Sequence, residues 1–305
     1  MSSTLSVAAP NLQIQTVFYN ISPGSVDRFL SSVAQASKLA KAAGSIGRVS
    51  LAIGDCSPLR TFRLDGIATL EASLLDAGID DFTYDFFDEN LGSAGGHNRL
   101  FNRFTSDLVL ILNPDIVASP YLIQELTLRL NDSSIGLVEG RQIPIEHPKD
   151  YDVFSGQTSW ATTACALIPR QVVATVGPFD SASFFLYCDD VDYSWRIRLA
   201  GYKVIFHPPA RIFHDKRLRA DAGLVVGAAE EYYAAEAALL MAHKWSRPDL
   251  VTEFLTTLEG GGTELQRKAA AAFRKRRSCG DLPSPVDPDH KVGQFHGNNW
   301  ARHRW

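Results

Sequence analysis

The stretch "DLVLILNPD" (107–115) places five consecutive apolar residues directly before Asn113, Pro114 and Asp115. An apolar run that does not alternate with polar residues is typical of a strand covered on both faces. Sheets covered on both faces are mostly parallel and carry helices as crossover connections. This stretch therefore predicts an α/β fold.

The segments around it follow the same pattern, in which short β-branched or aromatic runs alternate with amphipathic ones. We predict strands at 14–20, 48–55, 82–87 and 107–115, with helices at 25–44, 69–78 and 95–104. Beyond them we predict a helix at 119–130, a strand at 135–140, a strand leading into a short helix at 161–169 and a strand at 202–208. A helix from Ala228, a basic helix at 264–278 and a Pro-rich linker at 282–290 would follow. Such alternation indicates a mostly parallel sheet.

Composition limits the class of protein. With 305 residues, 45% of them hydrophobic, the chain can bury a large core. Thirty basic against 34 acidic residues argue against binding of nucleic acid through net positive charge. Four cysteines without metal-type spacing indicate reduced thiols in a cytoplasmic setting. No leader is recognisable, and no apolar window approaches the roughly 18 residues of a membrane span.

Polar residues follow the predicted strands at the edge where α/β sheets bind ligands. They are Tyr19, Asn20, Asp55, Asn90, Asn113 and Asp115. The Asn-Pro-Asp triplet is suited to a divalent cation, which prefers oxygen ligands, but it is equally typical of an Asx turn. The glycines of "ENLGSAGGHN" (89–98) would let the backbone approach a phosphate, or would simply form a turn.

The segment "FFLYCDDVDYSWRIRLAGY" (184–202) contains three neighbouring carboxylates, Asp189, Asp190 and Asp192. They could compensate the dipole at a helix start, with Asp192 pairing with Arg196 one turn later. Three carboxylates beside an apolar run would also repel one another unless a cation or a substrate hydroxyl shares the site. Downstream, His214 is either a structural histidine or a metal ligand.

As an ordered set, these motifs resemble family 2 glycosyltransferases of the GT-A fold, especially the bacterial rhamnosyltransferase and galactofuranosyltransferase branch. The resemblance covers about residues 12–245. It implies a Rossmann-like, mixed α/β sheet flanked by helices, of the nucleotide-diphospho-sugar transferase type. It also implies a catalytic domain at 1–227 and a helical extension with a basic, Pro-rich tail at 228–305.

The resemblance assigns roles to residues. Asp115, Asn113 and His214 would hold Mg²⁺ or Mn²⁺, and Asp190, with Asp189 beside it, would be the catalytic base. Donor binding would involve Tyr19, Asn20, Asp55, Asn90, Gly92, Gly95, Gly96, Asn98, Asn113 and Arg196. Acceptor binding would involve Trp160, Thr163 and Asp189.

The implied reaction is an inverting transfer of L-rhamnose or galactofuranose from a dTDP- or UDP-sugar to a bacterial cell-surface glycan, free or lipid-linked. Two other functions stay open: a sugar nucleotidyltransferase, for which "YNISPGSVDR" (19–28) is a poor phosphate loop, and a non-catalytic nucleotide-sugar or glycan-binding protein. The basic helix at 264–278 could contact the inner face of the cell membrane, form a homo-oligomer contact, or be solvated.

Overall fold

The computed structural model describes residues 8–147, 149–214, 227–297 and 299–302. Within these ranges the chain forms nine strands, joined in one sheet. They are β1 (Leu12–Phe18), β2 (Val49–Asp55), β3 (Asp81–Phe86), β4 (Leu108–Leu112), β5 (Ile116–Ala118), β6 (Ile135–Ile143), β7 (Gln157–Thr158), β8 (Cys165–Pro169) and β9 (Lys203–His214). The α-helices are α1 (Pro23–Ala42), α2 (Leu64–Asp76), α3 (Gly92–Phe101), α4 (Leu122–Leu128), α5 (Arg170–Val176), α6 (Asp189–Leu199), α7 (Ala228–Lys244), α8 (Pro248–Gly261) and α9 (Glu264–Ser278).

The strand order is β3-β2-β1-β4-β8-β6-β9-β5, with β7 paired to β9. The strands β3, β2, β1 and β4 are mutually parallel, as are β6 and β9, whereas β8 runs antiparallel to both β4 and β6. The sheet is therefore mixed, as the family resemblance implied. The mostly parallel sheet predicted from strand–helix alternation is wrong for the part beyond β4, where short strands return in the antiparallel direction. The parallel part brings the carboxyl ends of β1, β2 and β4 to one edge.

The strand β4 is buried on both faces, as its composition predicts. Leu108, Leu110 and Leu112 pack in one core with α1 and α4, while Val109 and Ile111 pack in another with α3, α5 and α6. The five apolar side chains therefore alternate between two separate cores. This arrangement fixes Asn113 and Asp115 just beyond the sheet edge.

The sequence predictions differ from the structure mainly after β4. The final strand runs on through Pro208 and Pro209 to His214, so β9 is much longer than the predicted 202–208. The helix at 119–130 shortens to α4, followed by one 3₁₀ turn at Arg129–Asn131. The strands β5 and β7 and the helix α8 were not predicted, because they are short or lack a clear pattern. Asp215, next to His214 in sequence, lies outside the described residues.

A third core joins α6 to the C-terminal helices. Trp195 of α6 packs in it with Trp245 and with Phe273 of α9. The predicted Pro-rich linker at 282–290 belongs to this region: Val286 donates a backbone hydrogen bond to Lys244 at 2.7 Å, and its side chain packs against the cluster. The segment is therefore docked rather than free, because its apolar residues find a hydrophobic surface. Among the described helices, none is long and apolar enough to cross a membrane.

Candidate active site

A cleft of about 880 Å³ opens at the carboxyl ends of β1, β2 and β4. Six of the residues predicted from the sequence line it, namely Tyr19, Asn20, Asn90, Gly92, Asn113 and Asp115. Tyr19 is half exposed, and the backbone of Asn20 adopts a positive φ of 50° while its N–H donates to Ser57 Oγ at 2.9 Å. The sheet edge thus concentrates polar side chains in one concave surface, as expected for a ligand site of an α/β fold.

His214 and Asp115 meet at one side of this cleft. His214 ends β9 and Asp115 precedes β5, and the antiparallel pairing of these two strands brings them together. His214 Nε2 lies 3.2 Å from Asp115 Oδ1, and the histidine side chain is only 11% exposed. Imidazole nitrogen and carboxylate oxygen are both ligands of divalent transition metals.

Hydrogen bonds behind His214 determine which of its nitrogens carries the proton. Thr162 Oγ1 donates to Glu139 at 2.9 Å, so it can only accept from Gln142 Nε2, which lies 3.0 Å away. The amide nitrogen of Gln142 therefore points to Thr162, and its oxygen faces His214 Nδ1 at 2.7 Å. Since Nδ1–H donates to that oxygen, Nε2 of the neutral ring presents a lone pair to Asp115.

Two acceptors, His214 Nε2 and an Asp115 oxygen, consequently face each other across 3.2 Å. Such a pair is stable with a cation between the two groups or with a second proton on the ring. A ligand histidine whose other nitrogen is held by a hydrogen bond is typical of metal sites. The residues thus fit a divalent cation held by two side chains with open positions for a ligand. The described residues include no cluster of three or more His, Cys, Asp or Glu side chains suited to a metal.

Asp189 and Asp190 begin α6, after Tyr187 and Cys188, which both have positive φ values of 69° and 59°. Burial and the Asp189 carboxylate raise the pKa of Asp190 to about 7. Burial also raises the pKa of Asp189 to about 6, and its carboxylate accepts a hydrogen bond from Ser93, which lines the cleft. A carboxylate with a pKa near neutrality is suited to accept a proton from a substrate.

Asp190 faces a second pocket, of about 250 Å³, that Trp160 also lines. Consecutive residues line the two cavities, residues 185–186 the cleft and residues 187–188 the small pocket. Lys149 lies 3.6 Å above the Trp160 ring and forms a buried ion pair with Glu139 at 2.9 Å. Its positive charge acts on Asp190 and opposes the rise in pKa. Thr163 is buried and lines neither pocket.

Asp55, predicted to contact the nucleotide base, is fully buried. Its carboxylate accepts hydrogen bonds from Ser57 N at 2.9 Å, Thr61 N at 2.8 Å and the Tyr84 hydroxyl at 2.5 Å. These three donors commit it to the loop after β2, while its neighbour Cys56 lines the cleft. Asp55 thus shapes the loop after β2 and does not itself line the cleft.

Three residues of the glycine-rich segment pack the fold instead of lining the cleft. Gly95 and Gly96 lie inside α3, where a Cβ on Gly96 would sit 2.7 Å from Val17 of β1. Asn98 exchanges hydrogen bonds of 2.8 Å with the backbone of Phe179. Gly92 alone among the three glycines lines the cleft, and its φ of 68° together with the nearby Phe185 carbonyl leaves no room for a side chain.

Arg196, predicted to bind the donor, does not line the cleft. It pairs with Asp192 at 2.9 Å, as the four-residue spacing predicts, and its other nitrogens donate to the carbonyls of Val176 and Pro178. Arg198 donates to the carbonyls of Ser159 and Val292. Both arginines therefore hold backbone segments together.

Several residues near the two pockets were missed from the sequence. Tyr233 and Glu230 of α7 line the cleft, and Phe185 packs against Tyr233 with ring centroids 4.7 Å apart. No local signal marks them, because α7 reaches the cleft only through tertiary packing. Gln142 is likewise an ordinary residue of β6 in the sequence.

No family model matches the sequence. Solved structures do resemble the molecule. The mannosyltransferase PcManGT from Pyrobaculum calidifontis, in complex with GDP-Man and Mn²⁺, matches with a TM-score of 0.55 and 16% identity over 90% of this chain and 77% of that chain. GalNAc-T7 with UDP, GalNAc and Mn²⁺ matches with a TM-score of 0.59 and 12% identity over 90% of this chain and 55% of its own. The chain has the GT-A fold.

TarS of S. aureus shares this GT-A fold with a TM-score of 0.51 and 9% identity, over 82% of this chain and 44% of that one. At these identities the likeness concerns the fold, and it confirms the fold class expected from the sequence. Among curated proteins, N-acetylglucosaminyl-diphospho-decaprenol L-rhamnosyltransferase from two strains of Mycobacterium tuberculosis is 35% identical over 57 residues. That match spans 19% of this chain and 18% of the relative's length.

Proposed function

We propose that this GT-A protein is an inverting glycosyltransferase that uses a nucleoside-diphosphate sugar and a divalent cation. The observation that carries the proposal is the arrangement of Asp115 and His214 at the large cleft and of Asp190 in the small pocket, whose lining continues along the chain from that of the cleft at residues 185–188. Glycosyl transfer needs stabilisation of charge on a departing diphosphate and a base for the attacking hydroxyl. The two pockets offer one group of side chains for each need.

Asp115 and His214 would hold the cation, with Asn113 beside them at the cleft. A bound Mg²⁺ or Mn²⁺ supplies positive charge to the diphosphate oxygens. The structures of PcManGT and GalNAc-T7 both contain Mn²⁺ together with a nucleotide or nucleotide sugar, which supports this proposal. Tyr19 and Asn20 would border the donor on the β1 side.

Asp190 would act as the general base. The acceptor hydroxyl attacks the anomeric carbon on the face opposite the nucleoside diphosphate, its proton passes to Asp190, and the carbon–oxygen bond to the diphosphate breaks. Attack from the opposite face inverts the configuration. General-base assistance contributes about 10²–10⁴-fold, so Asp190→Asn should bind the donor normally but lose turnover by about that factor.

For the transferred sugar we propose L-rhamnose or galactofuranose, carried by dTDP or UDP, and for the acceptor a bacterial cell-surface glycan, free or lipid-linked. The short match to a rhamnosyltransferase acting on a polyprenyl-linked sugar supports this choice. A peripheral contact with the inner face of the cell membrane through α9 belongs to the same proposal. Arg274 is paired with Glu259 and Arg276 with Asp281, and Arg267 donates to the Gly262 carbonyl. The other cations of α9, Lys268, Lys275 and Arg277, are the ones we would test.

The test is an assay of nucleoside-diphosphate release with a panel of nucleotide sugars and Mn²⁺ or Mg²⁺. We expect at least one dTDP- or UDP-sugar to be consumed in a reaction that EDTA stops and that Asp190→Asn nearly abolishes. Nuclear magnetic resonance of the product should show inverted anomeric configuration. If no donor is consumed with any acceptor while the nucleotide still binds, the chain is a binding protein and the catalytic proposal fails.

A further inference from the structure

The small pocket beside Asp190 has a wall that is distant in sequence. Residues 299–301 line it together with Trp160 and Tyr187. These C-terminal residues belong to a stretch that turns back onto α6, here called the return segment and defined as the described residues 291–297 and 299–302. The pocket is therefore completed by a part of the chain outside the predicted catalytic domain.

Specific hydrogen bonds hold the return segment in place. The Asp287 carboxylate accepts from the backbone N–H groups of Lys291, Val292 and Gly293 at 2.8–2.9 Å. Arg198 of α6 donates to the Val292 carbonyl at 3.0 Å, and Ser159 Oγ donates to the Trp300 carbonyl at 3.2 Å. Since Ser159 precedes Trp160, the last of these bonds ties two walls of the pocket to each other.

The Trp300 ring is fixed by aromatic neighbours. It packs edge-on against Trp195, with centroids 6.1 Å apart, and against Phe295 at 5.4 Å. A half-buried ring held in this way can offer a rigid flat surface to a ligand at low cost in conformational entropy. Phe295 belongs to the same aromatic group but does not line the pocket.

Trp160 adds a second aromatic side chain on the opposite wall. It is only 5% exposed, and Lys149 Nζ lies 3.6 Å from the centre of its ring. The pocket thus combines the Asp190 carboxylate with the aromatic surface of Trp160 and Trp300, which together match the hydroxyls and the apolar face of a sugar ring.

We propose that this pocket binds a single sugar ring at the end of the acceptor, packed against Trp300 with its attacking hydroxyl directed to Asp190, and that the return segment selects the acceptor. The orientation of the attacking hydroxyl towards Asp190 rests on the proposed glycosyltransferase function, whereas binding of the sugar ring does not. The pocket has a volume of about 250 Å³, which is below the range of about 300–1,000 Å³ that holds drug-sized ligands, as expected for one sugar ring.

The test compares Trp300→Ala and Trp300→Phe with a control, Phe295→Ala, in full-length protein. Saturation-transfer nuclear magnetic resonance and calorimetry would measure binding of methyl glycosides of hexoses, 6-deoxyhexoses and N-acetylhexosamines in the presence of UDP or dTDP and Mn²⁺. We expect Trp300→Ala to weaken binding at least about tenfold and Trp300→Phe to retain most of it. Phe295→Ala removes only one of the two rings that hold Trp300, so its loss should be clearly smaller than that of Trp300→Ala.

Equal glycoside affinity in Trp300→Ala, or no glycoside binding to the wild-type protein, would overturn the proposal. So would equal losses in Trp300→Ala and Phe295→Ala, since Trp300 would then act only by holding the segment. These measurements detect binding and not transfer. Lack of transfer with intact glycoside binding would therefore reject the glycosyltransferase function and leave the sugar pocket standing.

Discussion

At the residue scale, the environment of Asp190 differs strongly from that of a solvated carboxylate. Asp189 on its own helix repels its negative charge, Lys149 attracts it, and His147 lines the same pocket. Burial and Asp189 outweigh Lys149, so the pKa rises to about 7. The protonation state of Asp190 therefore changes in the neutral range, which gives both activity and stability a pH dependence.

Turnover should increase with pH through about 7, because the general base must be ionised. We expect kcat/KM at saturating metal to fall about tenfold for each pH unit below this value and to level off above it. Rates measured from pH 5.5 to 9 would show the profile. A flat profile across this range would remove Asp190 from the role of base.

The stability of the folded protein should decrease as pH rises, whereas turnover should increase. The native pKa of about 7 lies above the ordinary value of 3.8, so the folded protein holds this proton more tightly, and ionisation costs stability as pH rises between the two values. Asp190→Asn removes this cost, and its Tm should exceed that of wild type at pH 8, by a margin that shrinks towards pH 5. Calorimetry at both pH values would measure this difference in Tm, with the exposed Asp81→Asn as control. A Tm of Asp190→Asn below that of wild type at pH 8 would contradict the account.

Gln142 should affect metal affinity without touching the metal. In Gln142→Leu the acceptor that orients His214 Nδ1–H is lost, and we expect Mn²⁺ binding in the presence of UDP to weaken about 10–100-fold. Electron paramagnetic resonance of free Mn²⁺ gives the affinity independently of activity. The exposed Gln171→Leu should leave it unchanged, and an unaltered affinity in Gln142→Leu would show that the hydrogen bond does not matter.

At the element scale, the sequence predicted β1 to β4 and their helices well, because hydrophobic periodicity is local. The same local signal explains Asn113 and Asp115, which a buried strand delivers to its end. It could not reveal that the glycines of α3 serve packing, since Gly96 differs from a phosphate-loop glycine only through its contact with Val17. Nor could it show the partners of Arg196, Asp55 or Gln142, because each lies on another element.

Gly96→Ala should push α3 away from β1. The added Cβ would lie 2.7 Å from Val17, and such overpacking typically costs about 1–3 kcal/mol. Gly66→Ala in α2 is the matched control, since its Cβ meets nothing within 4 Å and alanine favours a helix. Urea unfolding should place the Gly96→Ala midpoint below wild type and the Gly66→Ala midpoint at or above it. Equal midpoints for Gly96→Ala and wild type would mean that Val17 moves aside without loss of stability.

At the scale of the whole molecule, a buried ionic network connects the C-terminal helices to the helix that carries Asp190. Lys244 of α7 lies 2.7 Å from both Asp180 and Asp192, and Trp245 Nε1 donates to Asp192 at 3.1 Å. Asp192 is fully buried and also pairs with Arg196. The domain boundary predicted at residue 227 places Lys244 and its two carboxylate partners in different domains. Their pairing gives no local signal in the sequence, because the three residues are far apart along the chain.

Lys244→Met should destabilise the entire protein. Removing one partner of a buried ion pair leaves uncompensated charge and costs about 3–5 kcal/mol, and here two carboxylates lose the same cation. The free energy of unfolding from urea titrations would show the loss. Arg274→Ala, which breaks the exposed pair with Glu259, should leave the midpoint unchanged. A small effect of Lys244→Met would indicate that Arg196 alone balances Asp192.

The same network restricts how such a protein can evolve by recombination. An exchange of gene segments between relatives near residue 227 would deliver Asp180 and Asp192 from one parent and Lys244 from the other. Only parents that kept the same charges at all three positions would give a folded chimaera. Inheritance of the C-terminal helices is thereby linked to that of α6, so acceptor preference should diversify by point substitution in the return segment more readily than by exchange of the whole C-terminal part.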